Sequence, residues 1–202
     1  MNANETPASV HRFWFGDDAD DATTAARQSK LWWGKDNAVD RTIRDRFGPW
    51  IERAAAEELS DWTKSPAGLL ALVLLTDQFP RNAFRGTPRA FAFDSLARAW
   101  SRALLASRGL DSLRLVERVF ALLPLEHAES IADQDECVAR MREVHAAAAP
   151  AFRDTTAGYV DFAIRHRDII ARFGRFPHRN AILGRDTTPE EATFLLTPGS
   201  GF

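Results

Sequence analysis

The residues best suited to chemistry lie in segment 165–185, RHRDIIARFGRFPHRNAILGR, which carries six arginines and two histidines but one acid. Histidine titrates near neutral pH, and arginine binds carboxylate or phosphate through paired N–H donors. His166 falls on the apolar stripe of a predicted helix. The first turn of a short second helix, starting near residue 177, holds His178, Arg179 and Asn180. Since helix N-termini attract anions, this start predicts an anion site.

A second polar group occupies residues 77–85, directly after an apolar helix. Asp77 is predicted at the C-terminus of that helix, where its charge opposes the helix dipole. We therefore expect Asp77 to pair with Arg81, four residues along the chain. Arg81, Asn82 and Arg85 are predicted to lie in a loop. That loop is either locked by pairing with Asp77 or free to offer donors to a ligand.

A third polar group interrupts a predicted helix that carries both His127 and Gln134 on its inward stripe. A buried polar group without a hydrogen bond costs about 1–3 kcal/mol, so these side chains and His166 need partners, for which Glu126 is available. One interpretation is a satisfied core network that fixes helix register. The other is a polar pocket between helices. The acidic segment 126–143 and the basic segment 165–185 are expected to dock against each other.

These three polar groups make up the candidate site, but their residue types do not indicate a particular reaction. The ten candidate ligand-binding residues are Arg81, Asn82, Arg85, Glu126, His127, His166, Arg175, His178, Arg179 and Asn180. The chain has no Gly-rich phosphate loop, no G-x-S-x-G and no H-E-x-x-H. Cys137 is the single cysteine, which excludes an internal disulfide and a cysteine pair for zinc. Its acidic helix raises the thiol pKa, so we predict no thiolate nucleophile. We assign no metal or cofactor from the sequence, although a histidine–carboxylate pair could orient a metal ligand.

Helix signals run along the whole chain. Thr6, Ser65 and Thr188 each precede a proline, the arrangement of an N-cap followed by the first helical position. Gly16 and Gly174 follow the last apolar residue of their helices, where helices stop. No window of alternating β-branched residues predicts a strand. We expect an all-α fold in a single domain, residues 1–202, with eight to ten helices.

Two prolines lie inside helical patterns. Pro49 is expected to kink its helix, and the helix reaching Pro124 is expected to bend or restart there. Short connections between successive helices predict antiparallel neighbours. This pattern fits a bundle or a stack of helix pairs, and no internal repeat period decides between them.

Composition limits the partners. The net charge of −2 argues against a general nucleic-acid binder. Residues 1–20 lack the basic start and apolar core of a signal peptide. The longest aliphatic run, residues 69–75, is far shorter than the about 20 residues that a membrane span needs. We expect a cytoplasmic protein without nucleic-acid or membrane partners; the oligomeric state stays open.

The chain resembles the bacterial family catalogued as domain of unknown function 924. The matching stretches are HRFWFG, LWWGKD, ALVLLTDQFPRNAFRGTPRAFAFD, LLPLEHAESIADQ, RHRDIIARFGRFPHRNAILGR, TPEEATFL and PGSGF, which together span essentially the whole chain. The resemblance implies a tetratricopeptide-like stack of antiparallel helix pairs. It implies no activity.

Two functions remain in view. The favoured hypothesis is a non-catalytic binding module that holds a peptide or a small anionic ligand in an inter-helix groove. It predicts that replacing Arg175 and Arg179 with alanine abolishes ligand capture without lowering the melting temperature. The alternative is an enzyme that combines His/Glu general acid–base chemistry with an arginine clamp on an anionic substrate.

Overall fold

A computed structural model describes residues 4–18 and 20–201 of the chain. Phe202, which ends the segment PGSGF, lies outside the described residues. The described part contains nine helices and no strand, which confirms the all-α prediction and its range of eight to ten helices. No helix in this part combines the length and apolar character needed to span a membrane.

The helices follow one another through short connections. In chain order they are α1 (Pro7–Phe15), α2 (Asp21–Trp33), α3 (Asn37–Ala55), α4 (66–83), α5 (Asp94–Ala106), α6 (Leu115–Glu126), α7 (Ile131–Ala147), α8 (Pro150–Phe173) and α9 (Pro189–Leu195). Helix α4 is continuous but changes hydrogen-bonding pattern, from Pro66–Val73 through a π turn at Leu74–Gln78 to Phe79–Ala83. Short 3₁₀ turns occupy Ser60–Lys64, Pro88–Phe91, Gly109–Ser112 and Pro177–Arg179.

The predicted helix starts and stops are confirmed where caps mark them. The side chains of Thr6, Ser65 and Thr188 each accept a hydrogen bond from a backbone N–H three residues on. At the other end, α1 and α8 stop at Gly16 and Gly174, whose φ angles of 73° and 69° favour glycine. Local side-chain chemistry thus sets these helix boundaries.

One apolar core joins α1 through α8. At its centre the buried ring of Phe120 on α6 contacts three aromatic residues at centroid distances of 4.7–5.6 Å: Trp14, Phe15 and Trp32. A smaller apolar cluster of Ile169, Ile170 and Phe176 holds the end of α8 and the chain that follows it. Helix α7 packs along α8 after a connection of two residues, so this pair is antiparallel.

Two predicted helix ends are wrong. Helix α6 does not restart at Pro124 but continues through it to Glu126, and both residues are buried, so packing outweighs the hydrogen bond that proline removes. Arg81 and Asn82 lie in the last turn of α4 rather than in a loop, because the π turn carries the helix past Asp77. Arg85 follows the helix in a turn. Asp77 is therefore an interior residue of α4, not its C-terminus.

Gly68 on α4 provides a test of the packing. A Cβ atom built on Gly68 would lie far inside contact distance of the carbonyl oxygen of Trp62, a backbone atom that cannot rotate away. We expect Gly68→Ala to lower the urea midpoint of unfolding, although alanine favours a helix by about 1 kcal/mol over glycine. Gly158 on α8, with no atom within 4 Å of its built Cβ, is the matched control. Gly158→Ala should leave the midpoint equal or raised, and equal effects at both glycines would contradict the close packing at Gly68.

Candidate functional site

The chain brings polar residues from five segments into one place, which we call the polar cluster. Its members are Asp77 and Arg81 on α4, Asp94 on α5, Glu126 and His127 at the end of α6, His166 on α8, and Arg179 in the turn Pro177–Arg179. Helix α4 packs against both α5 and α6, which places the first members side by side. Helix α8 adds His166, which lies next to Glu126.

Asp77 is the centre of the polar cluster. The π turn turns its carboxylate into the protein, where it is fully buried. It lies 2.8 Å from Nδ1 of His127, 2.5 Å from Nε2 of Gln78 and 3.4 Å from Nη2 of Arg81. Burial alone would raise the pKa of Asp77, but the charges of Arg81 and His127 hold it well below its ordinary range. An ionised carboxylate only accepts hydrogen bonds, so Nδ1 of His127 carries a proton.

Asp94 links two arginines on the outer side of the polar cluster. Arg81 donates to both of its carboxylate oxygens, at 2.8 and 3.2 Å, and Arg179 donates to one of them at 3.3 Å. Both guanidinium groups also stack on the ring of Phe91, 5.6 and 4.8 Å from its centroid. Asp94 therefore contacts two cations, of which Arg81 also lies next to Asp77.

Arg179 is unusual because its side chain is only 7% exposed. Its Nη1 donates to Asp94 and to the carbonyl oxygen of His127, at 3.1 Å. Its buried Nε has no hydrogen-bond partner among the described residues. Burial and the nearby charge of Arg81 lower the pKa of Arg179 to about 10. The guanidinium is thus positive but incompletely satisfied.

Glu126 and His166 form the inner side of the polar cluster. Oε1 of Glu126 lies 3.4 Å from Nδ1 of His166, which also lies 2.9 Å from the carbonyl oxygen of Phe162. Burial and the charge of Asp77 raise the pKa of Glu126 to about 8. Burial and the charge of His127 lower the pKa of His166 to about 3. Both groups are therefore neutral near pH 7, and their contact is not an ion pair.

A histidine–carboxylate set that could hold a metal lies within the polar cluster. Glu126, His127 and His166 each offer one ligand atom, and these three atoms lie within 4.8 Å of one another. Cys137 lies next to this set, with Sγ 3.9 Å from Oε2 of Glu126. Burial and the Glu126 carboxyl raise the pKa of Cys137 well above its usual value, in agreement with the expectation that it is no thiolate nucleophile.

Several sequence candidates lie outside the polar cluster. Asn82 and Arg85 both donate to Asp40 on α3, at 2.7–3.0 Å. Arg175 donates twice to Glu191 on α9, which also accepts a hydrogen bond from Asn180 at 3.2 Å. These side chains connect elements of the fold in the described structure.

His178 lies beside the polar cluster, and its ring centroid is 5.6 Å from that of Phe176. Burial and the charge of Arg179 lower the pKa of His178 to about 4.

His127 differs from its predicted position, because it caps the end of α6 and α7 begins only at Ile131. Asp94 and Phe91 were missed by the sequence analysis. The sequence offered one indication for Asp94, which is an acid in the first turn of a helix, where a negative charge is favourable.

The expected docking of acidic and basic segments is found only in part. Arg167 donates to Asp135 at 2.8 Å, and Arg185 donates to Glu129 at 2.7 Å. Arg175 instead pairs with Glu191 on α9. The basic segment therefore holds α9 as well as α7.

The pair Arg175–Glu191 predicts an acid-sensitive attachment of α9. Hydrogen bonds from Arg175 and from the backbone N–H of Thr188 lower the pKa of Glu191 from 4.5 to about 2. The stabilisation is fully present above pH 4.5 and is lost as the pH falls toward 2, because the folded carboxyl then takes up its proton. We expect Glu191→Gln to lower the urea midpoint at pH 7 and to have a shrinking effect between pH 4.5 and 2. The exposed pair Arg172–Glu190 supplies the control: Glu190→Gln should change little at either pH, and an equal effect at pH 7 would refute the assignment.

The fold and the polar cluster together define a class: an all-helical protein with acids, histidines and arginines gathered at the junction of α4, α5, α6 and α8. The chain belongs to the family described as bacterial protein of unknown function (DUF924), whose model matches residues 10–199. It is similar to the solved structure of the protein of unknown function ATU0120 from Agrobacterium tumefaciens, with 37% sequence identity and a TM-score of 0.79. That match covers 94% of this chain and 96% of the other. No curated protein matches the chain.

Proposed function

We propose that the protein binds a small molecule carrying an anionic group, and that the polar cluster is the binding site. The observation that carries this proposal is the buried guanidinium of Arg179, whose Nε has no hydrogen-bond partner among the described residues. A buried donor left without an acceptor costs about 1–3 kcal/mol, and more if charged. A carboxylate or phosphate oxygen of a ligand would remove this cost.

The surroundings of Arg179 favour an anion over a neutral ligand. Asp94 is the acid that pairs with Arg179, and it also pairs with Arg81. A second anion beside them would meet planar guanidinium groups held by stacking on Phe91 and Phe176. Such preorganised arginines bind carboxylate or phosphate with little loss of side-chain entropy.

Exposure limits the size of the ligand. His127, Arg81 and Asp94 keep 15, 19 and 22% of their side chains exposed, so the polar cluster reaches the surface at these three residues. Two surface grooves of about 390 and 320 Å³ lie elsewhere, beside α2 and α6 and between α7 and α8. Exposure limited to three partly buried side chains favours a small ligand over a peptide. The tetratricopeptide-like stacking of helix pairs and the cytoplasmic location belong to the same proposal.

A second candidate function is catalysis on that ligand. It is favoured by the Asp77–His127 pair, in which a buried carboxylate fixes an imidazole in one tautomer. Next to this pair lies Glu126, whose pKa of about 8 suits a proton donor at neutral pH. Neighbouring groups with separated pKa values are typical of acid–base sites. The binding proposal does not depend on this step.

The binding proposal predicts a selective effect of Arg179. Titration calorimetry with inorganic phosphate and with oxalate as probes should detect binding to the unaltered protein in EDTA-containing buffer. We expect Arg179→Gln to weaken this binding about 10- to 100-fold, which is the effect of losing one charge-assisted hydrogen bond or more.

The control is Arg167→Gln, which removes an arginine that pairs with Asp135 away from the polar cluster. It should bind the probes as the unaltered protein does. Binding that is equally strong in a folded Arg179→Gln variant, or no binding of either probe by the unaltered protein, would count against the proposal. Circular dichroism establishes that the variant is folded.

A further inference from the structure

We infer that Glu126, His127 and His166 bind a divalent transition-metal ion. One carboxylate oxygen and one nitrogen from each imidazole lie within 4.8 Å of one another. Metal bonds of about 2.1 Å place ligand atoms roughly 3–4 Å apart, so the three side chains need to approach by about 1 Å.

The chemistry of the donor set selects the kind of metal. Two imidazoles and one carboxylate suit zinc and divalent iron or cobalt, whereas magnesium and calcium prefer oxygen ligands alone. Three protein ligands leave at least one coordination position for water or for a bound molecule. The set therefore resembles a reactive metal site more than a closed structural one.

Each of the two imidazoles already makes a hydrogen bond of the kind that orients metal-bound histidines. Nδ1–H of His127 donates to the buried Asp77 carboxylate at 2.8 Å, which leaves Nε2 as its ligand atom. The ring of His166 is fixed by the carbonyl oxygen of Phe162, 2.9 Å from its Nδ1. Metal-bound histidines are commonly oriented by a carboxylate or a backbone carbonyl in this manner.

Charge gives an independent argument. Glu126 is buried, and no arginine or lysine lies within ion-pair distance of it among the described residues. The nearby charges of Asp77 and Asp94 are balanced by Arg81 and Arg179. A divalent ion bound to ionised Glu126 compensates this carboxylate and leaves one excess positive charge. That excess favours an anion in the open position, next to Arg179.

This inference goes beyond the proposed binding of an anion, which requires only the arginines. It also conflicts with direct proton transfer by His127, because a metal-bound nitrogen cannot accept a proton. A metal-bound water would then replace His127 as the source of acid–base chemistry.

The test uses Co²⁺ and Zn²⁺ alone as probes with the full chain after EDTA treatment and desalting. Co²⁺ bound by nitrogen and oxygen ligands in a four- or five-coordinate site absorbs visible light, and Zn²⁺ should displace it. We expect one Co²⁺ per chain, a rise in melting temperature with Zn²⁺, and at least 100-fold weaker binding in Glu126→Gln and His166→Gln.

His145→Gln is the matched control, because His145 is also partly buried and its Nδ1 contacts Thr156 at 2.9 Å. It should keep the Co²⁺ spectrum and the affinity. The inference is overturned if the unaltered protein gives neither the Co²⁺ absorption nor the Zn²⁺-dependent rise in melting temperature. Unchanged binding in folded Glu126→Gln or His166→Gln overturns it as well. Probe binding in EDTA buffer tests the anion site separately, so failure of one proposal is distinguishable from failure of the other.

Discussion

Replacing Asp77 with alanine should lower the free energy of unfolding by about 3–5 kcal/mol, the usual effect of removing one partner of a buried charge pair. The fully buried carboxylate accepts hydrogen bonds from His127 and Gln78 and lies next to Arg81. Without it, the proton on His127 Nδ1 loses its acceptor and Arg81 keeps only Asp94 as a charged partner. A single-domain protein has about 5–15 kcal/mol of stability in total, so the variant should be marginally folded.

Urea denaturation at pH 7 followed by circular dichroism measures this effect. Asp77→Asn keeps the shape and an acceptor oxygen for His127, and we expect it to lose only about 1–2 kcal/mol. Asp168→Ala removes an exposed acid on α8 and should change stability by less than about 0.5 kcal/mol. If Asp77→Ala proves as mild as Asp168→Ala, the carboxylate does not hold the polar cluster together.

Local features of the fold were the most predictable from the chain. The caps at Thr6, Ser65 and Thr188 and the glycine stops at Gly16 and Gly174 were all correct. Each depends on a side chain or a φ angle within a few residues of the boundary, so the information is local. Helix count followed from these boundaries.

Features that depend on tertiary packing were less predictable. A π turn differs from an α turn by one residue in its hydrogen bonds, and it has no sequence signature as clear as a cap. Asp77 was therefore placed at a helix end instead of inside α4. The helix does not restart at Pro124 for a related reason, since its neighbours on α6 are buried and packing holds the helix.

In the candidate site, too, the residues were predictable from local sequence and their partners were not. Arg81, Glu126, His127, His166 and Arg179 were identified by residue type and periodicity, and the structure brings them together. Their pairing partners were not identifiable, because the contact from His127 to Asp77 spans 50 residues and that from Arg179 to Asp94 spans 85. Arg85 and Arg175 were selected from the sequence on the same grounds as Arg81 and Arg179. In the structure they pair with acids of other helices, outside the polar cluster.

The polar cluster contains one residue whose removal should stabilise the protein. Glu126 is buried, has no cationic partner among the described residues, and has a pKa raised to about 8 by burial and by Asp77. Keeping a carboxyl in such a site opposes folding at neutral pH and above, because the unfolded chain ionises freely. Glu126→Gln keeps the shape without the ionisable group. A shift of one pKa unit corresponds to about 1.4 kcal/mol, so the raised pKa of Glu126 leads us to expect a gain of roughly 1–4 kcal/mol at pH 7.

Urea denaturation in EDTA buffer at pH 7 and pH 9 measures this gain. The matched control lies three residues along the chain: Glu129 accepts hydrogen bonds from Arg185 and from the backbone N–H of Phe176, so Glu129→Gln should be destabilising. Opposite signs at the two positions would identify Glu126 as a residue kept at a cost to stability, which is typical of functional groups. A loss of stability in Glu126→Gln under the same conditions would instead make Glu126 part of a satisfied core network. In that case its neighbours already stabilise the carboxyl, and neither a metal nor a substrate is needed to explain its burial.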